Sequence, residues 1–125
     1  MDVEQLADGL WRWTTADAGC VYYEAPDAVV LFDPLVPADE EEKFLAYLDR
    51  DVERLGLPVS ILLTDPQDER SAPALRERYS ADDRVPESVE AYEHAYFIRP
   101  HRVLVIATPD LPPPVPVELV LVSNP

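Results

Sequence analysis

Histidine, cysteine, glycine and lysine are all scarce in this chain, and each scarcity closes off a function. Cys20 is the one cysteine in 125 residues, so neither an intrachain disulfide nor a thiolate zinc cluster can form. The segment around it, Asp17 to Glu24, is acidic and gives the thiol no help in ionising, so a small buried strand residue is the expected role. His94 and His101 are the only histidines, and neither has a partner at metal-ligand spacing. His101 reads as an exposed turn residue, and His94 follows Glu90 at the spacing of a helical ion pair. Glycine stands only at positions 9, 19 and 56, which leaves no phosphate-cradling loop and no glycine-flanked nucleophile at Ser60, Ser71 or Ser123. Lysine occurs once, at Lys43, and the formal net charge is −15. Such a surface repels phosphate backbones and anionic bilayers, so neither nucleic acid nor membrane is an expected partner. No apolar run approaches the ~20 residues of a membrane span, and no basic leader precedes an apolar segment, so a cytoplasmic protein is expected.

What is present reads as one domain over 1–125, long enough to bury an independent core. Gly9–Thr14 alternates Trp11 and Trp13 against Leu10, Arg12 and Thr14, a strand with one aromatic face. Gly19–Glu24 and Val29–Asp33 flank a Pro26-Asp27 turn and predict a hairpin. From Asp39 to Leu55, Phe44, Leu45, Leu48, Val52 and Leu55 recur at helical spacing; Asp39 is the expected cap and Gly56 the stop. Met1–Asp8 reads as a polar edge or frayed start and Ser80–Glu93 as an acidic loop. Ala95–Ile98, Val103–Thr108 and Val117–Ser123 are short apolar strands, the last two separated by the stiff connector Leu111–Pro116.

The most informative stretch is Val59–Thr64, a buried-strand pattern, followed by the polar loop Asp65-Pro-Gln-Asp-Glu-Arg70 and a helix over Ala72–Tyr79. In α/β folds, ligands gather at strand carboxyl ends of this kind. The order Gly9-Leu10-Trp11, then Leu31-Phe32-Asp33-Pro34, then the strand to Thr64 resembles the metallo-β-lactamase-fold metallo-hydrolases. In that family the strand ends in Thr and is followed by His-x-His-x-Asp-His, which holds one or two metal ions. Aligned by Thr64, the resemblance puts Asp65 and Gln67 on the first two histidines, Glu69 on the aspartate and Arg70 on the last histidine. It puts Asp110 on the metal-bridging aspartate and Asn124 on the final site histidine. Asp33 and Thr64 take architectural roles beside the site. The implied fold is α/β, a shortened core of about seven strands with two main helices.

None of the metal-ligand positions keeps a histidine or gains a thiolate, and zinc prefers nitrogen and sulfur donors, so neither zinc nor another cofactor is expected. Three readings of the acidic set remain. Asp65, Glu69 and Asp110, helped by Gln67, could offer oxygen ligands to Mg²⁺, Mn²⁺ or Ca²⁺. Arg70 could instead replace a metal and neutralise Asp65 or Asp110, which is favoured because a guanidinium disfavours a neighbouring cation. Or all could be solvated loop residues. The functional expectation is a hydrolase-like pseudo-enzyme that acts through protein binding or self-association as a homodimer. Trp11, Trp13, Tyr22 and Tyr23 are candidates for its open surface. The alternative is a residual metal-dependent hydrolase at Asp65, Glu69 and Asp110.

Overall fold

A computed structural model describes residues 1–108 and 110–122. Strands dominate it. The expected α/β core of about seven strands with two main helices is corrected, among the described residues, to nine strands in two sheets, with helices in the minority.

The first sheet has the order β1 (Asp2–Ala7), β2 (Leu10–Thr15), β3 (Ala18–Glu24), β4 (Val29–Phe32), β5 (Val59–Leu62). β1 to β4 are antiparallel neighbours, and β5 adds to β4 in parallel. The parallel step requires a crossover, which α1 (Glu41–Leu55) supplies. Every residue of β4 and β5 is buried, as suits strands covered on both faces. The second sheet is an antiparallel run of β6 (Val89–Tyr92), β7 (Ala95–Ile98), β8 (Val103–Ala107) and β9 (Val117–Leu121).

β1 falls on the segment read as an edge or frayed start, and β6 on the segment read as a loop. β1 is exposed along nearly its whole length and carries no apolar face, so only its pairing with β2 makes it a strand. β6 buries Val89 alone and is held by β7; Glu90 therefore lies in a strand and pairs with Arg99 at 2.9 Å, not in a helix with His94.

Two cores result. One lies between the sheets and joins Leu10, Val21, Tyr23, Val30, Phe32 and Leu62 to Val89, Ile98, Val103 and Val105. The other lies between the first sheet and the helices, where Leu48, Phe44, Leu45, Val52 and Leu55 of α1 cover Trp13, Cys20, Tyr22, Leu31 and Ile61. The second helix, α2 (Ala72–Tyr79), adds Leu75 to this core. The layers therefore run helices, first sheet, second sheet. Trp13, Tyr22 and Tyr23, read as candidates for open aromatic surface, are buried, and Trp11 alone is half-exposed.

α1 begins after Glu40, which occupies the N-cap position without a side-chain hydrogen bond, so Asp39 is not the cap. The helix stops at Gly56, whose φ of 63° is the left-handed conformation that favours glycine. Among the described residues, no helix is long and apolar enough to cross a membrane.

Candidate functional site

Because β4 and β5 run in parallel, their carboxyl ends lie side by side, and Asp33 meets Thr64 there. The Asp33 N–H continues the ladder to the Leu62 carbonyl at 3.0 Å, then φ turns to 51° and the chain leaves the sheet. The Asp33 carboxylate accepts the Thr64 N–H at 2.9 Å and the Thr64 hydroxyl at 2.7 Å. Both residues are 2 % exposed. Burial raises the Asp33 carboxyl to a pKa of about 6, against the two Thr64 hydrogen bonds and the nearby Arg70 charge, which lower it.

The loop after Thr64 is shaped by Asp65. Its Oδ1 accepts the Gln67 N–H at 3.0 Å and its carbonyl accepts the Asp68 N–H at 3.0 Å, a turn that aspartate forms with its own backbone. Gln67 and Glu69 then face solvent, while Asp68 turns inward to 9 % exposure.

Arg70, at φ 49°, sends its side chain into the interior, where 2 % of it remains exposed. Nη1 donates to the carbonyls of Gly19 and Asp33, both at 2.7 Å, and lies 3.6 Å from the Cys20 sulfur. Nη2 donates to the Val115 carbonyl at 2.8 Å, and Nε to Asp68 Oδ2 at 3.2 Å. The same Asp68 oxygen accepts the Val115 N–H at 2.9 Å. One planar guanidinium thus joins β3, the end of β4, the polar loop and the segment leading into β9. Its fork geometry suits several fixed oxygens at once.

Cys20 beneath it is fully buried, and burial pushes its thiol up to about 11 against the opposing Arg70 charge. It is not a nucleophile near neutral pH.

The second sheet approaches from the other side. His94, at φ 58° in the β6–β7 turn, places Nδ1 3.1 Å from the Thr64 carbonyl. The Tyr96 hydroxyl donates to the Leu63 carbonyl at 3.3 Å, and burial together with the Asp33 charge raises its pKa.

The sequence-predicted set is brought together only in part. Asp33, Thr64 and Arg70 meet, but Arg70 pairs with Asp68 and not with Asp65 or Asp110. Asp65 is buried and turned onto its own loop, Asp110 is exposed beyond β8, and Asn124 lies outside the described residues. Among the described residues, no group of three or more His, Cys, Asp or Glu is placed to hold a metal ion. Asp33, Asp65 and Asp68 accept hydrogen bonds from N–H and O–H donors, the Arg70 guanidinium fills the interior beside them, and Glu69 and Asp110 stand exposed. This donor set does not fit a zinc ion.

Asp68 and His94 are what the sequence reading missed. Asp68 stands two residues from Arg70 in the polar loop, and the fold of that loop brings its carboxylate to the guanidinium at 3.2 Å. His94 sits in a two-residue turn between short strands, a position where histidine tolerates positive φ.

No family model matches the chain, and neither do any curated proteins or solved structures.

Proposed function

We propose that this chain is a non-catalytic relative of the metallo-β-lactamase-fold hydrolases that works by binding a protein partner. The observation that carries the reading is the state of Arg70. Its guanidinium stands where the resemblance puts the last motif histidine, and it is spent on three carbonyls and Asp68. A buried cation fixed by short hydrogen bonds is a structural element. It leaves no exchangeable position for a metal-bound water, the nucleophile such hydrolases need.

The test is calorimetric titration of the purified chain with Zn²⁺ and Mn²⁺. No stoichiometric binding is expected. Saturable binding of one or two ions per chain would overturn the reading and restore the hydrolase alternative.

A further inference from the structure

The free edge of the first sheet borders a cleft, and the two share residues. β1 is an edge strand exposed from Asp2 to Leu6, and among the described residues only β2 pairs with it. Its register places Val3 opposite Trp13 and Gln5 opposite Trp11. Cross-strand partners share a face, so Val3 and Gln5 lie on the helix side while Asp2 and Glu4 lie on the other. On the helix side, a cleft of about 510 Å³ opens between the sheet and α1, lined by Val3, Trp11, Trp13, Tyr22, Phe44 and Tyr47. Val3 is 60 % exposed within this aromatic shelf.

Charge on the other face of β1 selects the occupant: Asp2 and Glu4 stand there, with Arg12 of β2 opposite Glu4 and Thr14 opposite Asp2. Within the cleft, Glu40 and Asp51 are matched by Lys43 and the Met1 ammonium, which leaves its aromatic lining to apolar side chains. The Met1 ammonium lies 3.6 Å from Glu40, and the Arg50 guanidinium already stacks on the Tyr47 ring at 4.8 Å from its centroid. A second copy of this chain is a poor occupant. Pairing β1 with β1 would set Asp2 and Glu4 beside their like, within a pair of chains that each carry −15.

The geometry points to a binding site for an extended peptide segment that alternates apolar and basic residues and adds to β1 as a further strand. Its apolar side chains would lie beside Val3 on the aromatic shelf, and its lysines or arginines beside Asp2 and Glu4. This rests on reading the chain as a partner-binding scaffold and names the partner's chemistry.

The experiment uses the full chain with acetyl-Lys-Val-Lys-Val-Lys-Val-amide as probe and the Glu-for-Lys peptide as control. The basic peptide is expected to slow amide hydrogen exchange within Asp2–Ala7 and to shift tryptophan emission, and the acidic one to do neither. Val3→Arg, on an exposed strand, should keep the melting temperature and weaken the basic peptide at least tenfold. Unchanged exchange in β1 at millimolar basic peptide, equal binding of the acidic peptide, or undiminished binding by Val3→Arg would overturn the inference. Metal titration fails or succeeds independently, so a failed peptide experiment beside absent metal binding removes this partner and leaves the metal-free scaffold standing.

Discussion

Arg70 is the residue on which the interior of the site depends. Replacing it by Met leaves Asp68 a buried, uncompensated carboxylate and strips donors from the Gly19, Asp33 and Val115 carbonyls. Breaking a buried pair from one side costs about 3–5 kcal/mol. Urea denaturation should show a loss of that size for Arg70→Met. Arg70→Lys should recover only part of it, because an ammonium keeps the charge and loses the fork. A loss below about 1 kcal/mol, the scale of an exposed pair, would mean that the guanidinium is not a structural element. Asp33 makes a separate prediction. Its folded pKa of about 6 lies above its ordinary value of 3.8, so between those limits the native state holds more protons than the unfolded chain. Stability from this group is therefore lost as pH rises from about 4 to about 6 and is flat above, a change of at most about 3 kcal/mol. Asp33→Asn keeps the shape, tolerates the left-handed backbone and cannot ionise. The difference between wild-type and Asp33→Asn stability curves should carry that slope; parallel curves from pH 4 to 7 would contradict it.

At the scale of elements, legibility followed burial. α1 was readable because Phe44, Leu45, Leu48, Val52 and Leu55 share one apolar stripe packed on the core, and β4 and β5 because both faces of each are covered. α2 spans the same residues in sequence and structure, Ala72–Tyr79, with Pro73 in its first turn. β1 was legible only as an edge or a frayed start, because an exposed edge strand needs no apolar period, and β6 is too short to show one. The site was half legible for a related reason. Asp33, Thr64 and Arg70 announce themselves as polar residues at strand ends. The oxygens that hold Arg70 are mostly backbone carbonyls from residues 19, 33 and 115, and no side-chain pattern marks a carbonyl. Gly56 tests the reading of element ends. No neighbour lies within 4 Å of the Cβ it would gain, so Gly56→Ala meets backbone strain alone. The expected cost is about 1 kcal/mol by thermal or chemical denaturation. An unchanged stability would show that the helix end relaxes away from its left-handed turn.

For the whole molecule, Arg70 is a link between layers. Through Gly19 and Asp33 it holds the first sheet, and through Val115 it holds the segment that enters β9 of the second. Sheet contact, strand-end geometry and loop conformation are thereby coupled at one cation that belongs to the chain itself. The central claim is that this cation stands in place of a metal. The direct measurement is a thermal melt titrated with Zn²⁺, Mn²⁺, Mg²⁺ and Ca²⁺, run beside an Asp65→Ala/Glu69→Ala variant. A specific ion at a hundred times its dissociation constant stabilises a fold by about 2.7 kcal/mol. The account predicts no such rise with any of the four ions. A rise that disappears in the variant would contradict it.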